Sequence, residues 1–355
     1  MNLLKNEIYL SNIEKGIDEI DEIMQLFKEK SILITGATGL IGSTVIDLLV
    51  VANQKYHLNV TVYALGRSLK KINERFSTKQ AQQCIVPVLY EATKPFVFDH
   101  QVDYIIHAAS NASPDLYTRE PVETMQGNIF GISSLLEFAK NENVERILYV
   151  SSSEVYGEYR TEKPLMETDY GYIDILNSRS SYPMGKRAAE TLCIGYLNEY
   201  QVQSIIVRPG HVYGPSAKRG DARVSSAFVY QALNGESIVM KSKGSQIRSY
   251  TYSIDCATAL LFSLMKGKPG EAYNISNPNS IISIAEMARI ISSLGQVPLE
   301  FDLPTGVESE KFNPMDNSSL DSEKLYNLGW KANFGAYEGF QYTMSILAND
   351  NQKLV

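Results

Sequence analysis

The segment ILITGATGLIGSTVIDLL constrains this chain more than any other. Ser31–Thr35 is a short apolar run, Gly36, Gly39 and Gly42 follow at G-x-x-G-x-x-G spacing, and Gly42–Val51 has a helical pattern. This reads as strand, glycine turn, helix. The first glycine permits a tight turn and close backbone approach to a pyrophosphate; the last permits close helix–strand packing. A helix start in this place offers free N–H groups and a positive dipole end to an anion. Gly36, Thr38, Gly39, Leu40, Ile41 and Gly42 are therefore the candidate phosphate loop of a dinucleotide cofactor.

Strands and helices alternate from residue 31 onward. Apolar runs at Val60–Leu65, Cys84–Leu89, Tyr104–Ala108, Arg146–Ser151 and Ser204–Arg208 read as strands, with a long helix over Val122–Lys140. Such alternation implies an α/β, Rossmann-type, doubly wound parallel sheet. Residues 31–210 are expected to form the dinucleotide-binding domain. Residues 211–355, with helices over Val224–Asn234 and Ile281–Leu294 and a capped helix end in DNSSLDSEKLYNLGW, are expected to form a smaller substrate lobe interleaved with late sheet strands. Residues 1–30 read as one extra helix, because Ile13, Ile17, Ile20, Met24 and Phe27 recur at helical spacing. It should pack against the body or a partner subunit.

The second strand ends VTVYALGRS. A cofactor with a free ribose 2′-hydroxyl usually meets an acid here. Arg67 stands there instead, suited to a 2′-phosphate (NADP), to stacking on adenine, or to solvent.

Composition removes several function classes. The chain carries 40 Asp+Glu against 33 Lys+Arg, with no basic run, so no nucleic-acid footprint is present. Cys84, Cys193 and Cys256 are widely separated and fit neither a disulfide framework nor a metal site. The first residues have charges where a signal peptide needs an apolar core, and no apolar run approaches membrane-spanning length. A soluble cytoplasmic protein is expected.

Tyr182 and Lys186 stand four residues apart in SRSSYPMGKRAAE, on one face of a helix. An ammonium beside a phenol lowers its pKa and fits it to take a proton from a substrate hydroxyl. Tyr90/Lys94 and Tyr159/Lys163 share the spacing, but only Tyr182 leads into a helical pattern and follows a strand ending in hydroxyls, RILYVSSSEVYG.

The glycine loop, SSSEVYG and Tyr182/Lys186 together resemble the extended short-chain dehydrogenase/reductase family of nucleotide-sugar enzymes, from about Ser31 to Phe340. The resemblance implies a tightly bound NAD, or NADP from Arg67, with hydride passing to the nicotinamide. It makes Tyr182 the base, Lys186 the group that lowers its pKa and holds the nicotinamide ribose, and Ser152 the hydroxyl that orients the substrate. Ala108, Ala109 and Ser110 in HAASNASP, with Ser151 and Pro209, match cofactor positions, and Asn128 matches a position that supports the lysine. It also implies a homodimer, built on the Tyr182 helix and the Val122–Lys140 helix.

Within the family, HAASNASPDLYTREP, SSSEVYG and NSRSSYPMGKRAAE resemble segments of UDP-glucuronate decarboxylases. By that likeness Ser113, Tyr117, Arg179, His211, Arg223 and Arg248 bind substrate, while Ser153, Glu154 and Arg248 take part in decarboxylation or reprotonation at C5. Oxidation at C4 of a hexuronate gives a β-keto acid that loses CO2 with little further machinery. A 4,6-dehydratase needs an acid in the middle of the Ser152–Ser153–Glu154 triplet and finds Ser153. Epimerisation at C4 stays open, followed by dehydration, and more remotely an NADP-dependent reductase or a non-catalytic dinucleotide sensor. Two departures stand out: His211 replaces an asparagine of the decarboxylases, and GRS lacks their acid at the adenosine ribose.

Overall fold

The apolar runs before residue 210 become parallel strands, buried except for the edge strand at Ile85–Leu89, with ends within about two residues of those read from the sequence. The computed structural model describes residues 2–159, 161–303 and 316–351; of the expected C-terminal lobe, residues 304–315 and 352–355 lie outside them. The chain runs α1 (Glu7–Asp18), α2 (Asp21–Gln25), β1 (Ser31–Thr35), α3 (Leu40–Tyr56), β2 (Thr61–Gly66), α4 (Leu69–Arg75), α5 (Lys79–Cys84) and β3 (Ile85–Leu89). Next come β4 (Tyr104–His107), α6 (Pro114–Arg119), α7 (Pro121–Asn141), β5 (Arg146–Val150), a 3-10 turn at Ser153–Tyr156, α8 (Ser181–Tyr200) and β6 (Ser204–Pro209). The remainder is β7 (His211–Tyr213), α9 (Val224–Leu233), β8 (Ile238–Met240), β9 (Ile247–Tyr252), α10 (Ser253–Lys266) and β10 (Ala272–Ile275). It ends with β11 (Ile281–Ser283), α11 (Ile284–Gly295), β12 (Leu299–Phe301), β13 (Asn317–Ser318), α12 (Glu323–Asn327) and α13 (Ala336–Asn351).

The central sheet has seven strands in the order β10-β6-β5-β4-β1-β2-β3, and every pairing is parallel. Side chains alternate between its two faces. Ile32, Ile34 and Val62 therefore enter the core under α1, α3 and α10. Leu33, Leu65 and Ile147 enter the opposite core, against α7 and α8. Register aligns Thr35 with Leu65 and with His107, and His107 with Tyr149, so β1, β2, β4 and β5 end along one edge. Strand order reverses between β1 and β4, the crevice where open α/β sheets bind ligands.

Beyond β6 the chain builds a four-stranded sheet from β7, β9, β11 and β13 and a two-stranded one from β8 and β12, while β10 returns to the central sheet. Two expectations need correction. The N-terminal segment is two helices with a break at Ile20, whose backbone leaves the helical region (φ −128°, ψ 31°). Its apolar stripe still lands inside: Ile13, Ile17, Ile20, Met24 and Phe27 are all buried. The stretch from Ile281 begins as β11, pairing antiparallel with β9, and turns helical only at Ile284. The Ser283 hydroxyl accepts from the Glu286 N–H at 3.0 Å. A cap of that kind requires extended backbone ahead of the helix.

The N-terminal helices are fastened to α3 by a buried polar cluster. Asp47, wholly buried on α3, accepts from the Tyr9 hydroxyl at 2.8 Å and pairs with both terminal nitrogens of Arg75. Removing one partner of a buried charge costs more than removing one neutral hydrogen bond. Arg75→Met is expected to lower unfolding free energy by about 3–5 kcal/mol, and Tyr9→Phe by about 1–3 kcal/mol, in urea titrations with unchanged slope. Equal effects would contradict the ionic role of the cluster.

Candidate active site

The glycine loop is tight enough to exclude side chains. Gly36 has φ +70°, and a Cβ there would lie 2.9 Å from the Ala108 backbone carbonyl. A Cβ on Gly42 would lie 2.4 Å from the Gly36 oxygen. Helix α3 begins at Gly39, which has no side chain to cap it. The N–H groups of Leu40, Ile41 and Gly42 therefore have no acceptor within the helix. An uncapped helix start above a loop of glycine backbone, at the strand-order reversal, fits the pyrophosphate of a dinucleotide.

Ala108 and Ala109 are held by Thr35, whose Oγ1 accepts both their N–H groups at 3.1 Å and contacts His107 Nδ1 at 2.7 Å. Since Oγ1 already accepts twice, its own hydrogen goes to Nδ1, and His107 is neutral with its proton on Nε2. Burial, then the charge of Lys186, pushes His107 down to about 3. Ser110 donates to Asn128 Oδ1 at 2.8 Å, and Asn128 donates to the Thr124 carbonyl at 2.9 Å. Asn128 packs against α8 at Gly185, where a Cβ would come within 3.1 Å of it. It does not bond Lys186, whose ammonium donates to the Val150 carbonyl at 2.8 Å.

Tyr182 and Lys186 are both buried, on the first turns of α8. The Tyr182 ring stacks on Tyr117 (5.3 Å, 17°), and the Ser152 hydroxyl is close enough to lower the Tyr182 phenol. Ser152 Oγ also accepts the Glu154 N–H at 3.2 Å, which starts the 3-10 turn. The expected lowering of Tyr182 by Lys186 is not what this structure contains. Burial is the largest influence and raises Tyr182; the Ser152 hydroxyl lowers it, and Lys186 is absent from its main influences. The ammonium lies 5.8 Å from the ring centre and spends a donor on Val150. Burial also draws Lys186 itself down to about 7, with Glu190 opposing.

The substrate candidates converge on the same place from separate segments. Burial raises Glu154, while Arg179 and Arg248 hold it down. Burial, then Glu154, raises Tyr117 to about 12, with Arg179 opposing. Burial, Arg248 and Arg223 bring His211 down to about 3, and among the described residues its buried Nδ1 has no hydrogen-bond partner. Arg223, at the start of α9, pairs with Asp221 and donates to the Val212 carbonyl at 3.3 Å; its charge also reaches Tyr182. Arg248, on β9, is buried and donates to the Ile247 carbonyl at 2.8 Å. Ser153 is buried beside Glu154, and Ser113 sits at the N-cap position of α6 without a side-chain capping bond. Pro209 ends β6.

Two candidates stand apart. Arg67 is exposed beyond the end of β2, where its charge acts on Glu91. Ser151 turns its hydroxyl to Glu190 at 2.5 Å, so that group is committed to the protein interior rather than to a cofactor. Sequence reasoning missed Thr35 as the brace of the Ala108 turn, and it missed Glu190 with Arg208. A signal existed for the latter pair: an arginine inside the apolar run SIIVRP, and an acid four residues after Lys186.

The model of the NAD dependent epimerase/dehydratase family matches residues 32–276, and the chain belongs to that family. It is therefore an enzyme of the NAD-dependent epimerase/dehydratase type. It is 32% identical to UDP-glucuronic acid decarboxylase 3 of Arabidopsis thaliana, over 87% of this chain and 86% of the relative. In fold it resembles a UDP-glucose 4-epimerase of Thermotoga maritima with UDP-glucose (TM-score 0.75, 23% identity, 92% of this chain and 100% of that one). It also resembles the Bordetella bronchiseptica enzyme WbmF in complex with NAD+ (TM-score 0.73, 22% identity, 92% and 95%).

The histidine shifts have a consequence for stability. A base whose pKa falls on folding leaves the unfolded chain as the stronger proton binder below 6.5. The contribution of His107 is complete above 6.5 and is lost as pH falls toward 3. Unfolding free energy should drop across that window by about 1.4 kcal/mol per pH unit for this residue. Urea titrations at several pH values should show this slope reduced by one proton in His107→Asn.

Proposed function

We propose that this protein decarboxylates UDP-glucuronate, or a close UDP-hexuronate, using a retained NAD. The observation that carries the reading is the proximity of Ser152, Tyr182 and Lys186 to Glu154, Arg179 and Arg248 beyond the end of β5. The named decarboxylase relatives support it. The glycine loop and the bare start of α3 would hold the cofactor pyrophosphate. NAD is favoured over NADP because the solved neighbours that support the reading carry NAD, while Arg67 is exposed and its charge acts on Glu91. A bound NAD supplies the acceptor for the C4 hydride and later its donor.

The chain's own residues supply the rest. Ser152 orients the C4 hydroxyl, and Tyr182 takes its proton. The C5–C6 bond of the resulting β-keto acid breaks, CO2 leaves, and the electron pair moves onto the 4-ketone as an enolate. Glu154, raised by burial, returns a proton to C5, and Tyr182 returns one to the C4 oxygen. The net change is one proton consumed and one CO2 released. Arg179 and Arg248 balance the carboxylate charge before it departs, and Arg223 with neutral His211 faces the nucleotide phosphates. Ser153, where a dehydratase needs an acid, disfavours water loss.

We also infer a homodimer through the outer faces of α7 and α8, supported by the exposed Val122, Met125 and Phe130 on α7 and by exposed Ile175 and Leu176 nearby. The three separate free cysteines support a reducing, cytoplasmic setting. Among the described residues no helix is long and apolar enough to cross a membrane.

Incubation with UDP-glucuronate should release CO2 and give a UDP-pentose by mass. Unchanged mass, or loss of water from another nucleotide sugar, would overturn the assignment. Tyr182→Phe should lose about 10²–10⁴-fold in turnover while keeping its fold by circular dichroism. Light scattering should give twice the chain mass; a monomer at working concentration would refute the dimer.

A further inference from the structure

Arg208 interrupts the apolar strand β6 and is among the largest wholly buried side chains. A buried guanidinium requires partners for its donors. Its Nε and one terminal nitrogen meet the two oxygens of Glu190 at 2.9 and 2.6 Å. The rest go to the Tyr156 hydroxyl (3.1 Å), the Tyr170 hydroxyl (3.0 Å) and the Glu167 carbonyl (2.8 Å). Glu190 also accepts the Ser151 hydroxyl at 2.5 Å. Ser151 immediately precedes Ser152, and Glu190 lies one helical turn beyond Lys186 on α8. One carboxylate therefore joins the helix that carries Tyr182 and Lys186 to the strand end that carries Ser152.

We propose that Glu190, fixed by Arg208, is a positioning residue of the Ser152–Tyr182–Lys186 set: its carboxylate stands one helical turn from Lys186 as its counter-charge and, through Ser151, sets the place of Ser152. The inference rests on the catalytic reading of those three residues.

The surroundings of Lys186 leave few other sources of negative charge. On its own helix it faces Tyr182 and Cys193. From β4 it faces His107, which is neutral, and from β5 the ring of Tyr149 at 4.8 Å and the Val150 carbonyl. Burial raises Tyr149, Tyr182 and Cys193, so all three stay protonated and uncharged near neutral pH. Glu190 is the first-named influence opposing the burial of Lys186. Glu190 in turn faces Arg208 from β6, Arg187 on α8 and Tyr156 from the 3-10 turn. Without the carboxylate, burial acts on Lys186 with its main counterweight gone.

Glu190→Gln keeps the shape and one acceptor and removes the charge. Full-length protein labelled with ε-13C-lysine, with the Lys186 signal assigned by its loss in Lys186→Arg, reads the titration directly. The midpoint of Lys186 should fall by about one pH unit. Turnover relative to the parent should be about fivefold lower at pH 8 than at pH 6, because the ammonium is lost at lower pH. An unmoved midpoint with equal loss at both pH values would leave Glu190 a packing role only and overturn the proposal. If Glu190→Gln leaves Arg208 unpaired and does not fold, Glu190→Gln/Arg208→Met, which buries no lone charge, carries the same expectation. A parent that turns over no UDP-glucuronate would sink the proposed reaction, while the NMR midpoint would still decide the role of Glu190.

Discussion

The contact between the end of β1 and the start of α3 sets the geometry of everything around it. Gly42 lies so close to the Gly36 carbonyl that a single Cβ would collide with it, and a Cβ on Gly36 would collide, less severely, with Ala108. These two approaches bring the bare helix terminus down onto the crevice between β1 and β4. A side chain at either position would lift α3 off the sheet and open the loop. The parallel registers then carry the alignment outward, so that β4 and β5 deliver Ala108 and Ser152 to the same edge.

Electrostatics at that edge follow from burial more than from pairing. Tyr182, Lys186, His107 and His211 are all moved toward their neutral forms, because a low-dielectric site penalises charge. The arginines act against this for Glu154. A crevice of neutral groups bordered by fixed cations suits an anionic substrate: its charge meets guanidinium groups, and its reacting hydroxyl meets groups able to move a proton. The N-terminal helices contribute at a distance, by gripping α3 through Asp47 and packing on α10 and α13.

Much of this was legible in the residues. The glycine spacing picked out the turn between β1 and α3, the apolar runs located the strands, and the SSSEVYG and Tyr182/Lys186 segments pointed to the family. The break at Ile20 was hidden because an apolar stripe continues through it and the periodicity alone does not register a local change of backbone angle. The strand at Ile281 was hidden for a related reason: three residues ahead of a capped helix share its apolar character. Ser151 read as a cofactor contact because it adjoins Ser152, yet successive residues at a strand end point in different directions, and its hydroxyl turns to Glu190.

By itself the sequence determined a parallel α/β sheet, a dinucleotide loop and a tyrosine–lysine pair, because each depends on local spacing that a chain carries wherever it folds. Only the tertiary structure decided the electrical state of the site. The protonation of Lys186 depends on how completely β4, β5 and α7 wall it off from water, and on Glu190 being held in place by Arg208 from a different strand. The meeting of Arg179, Arg223 and Arg248 is equally non-local, since three segments far apart in sequence come together only in the folded chain. Depth of burial and the direction of a guanidinium are properties of packing, and no spacing rule contains them.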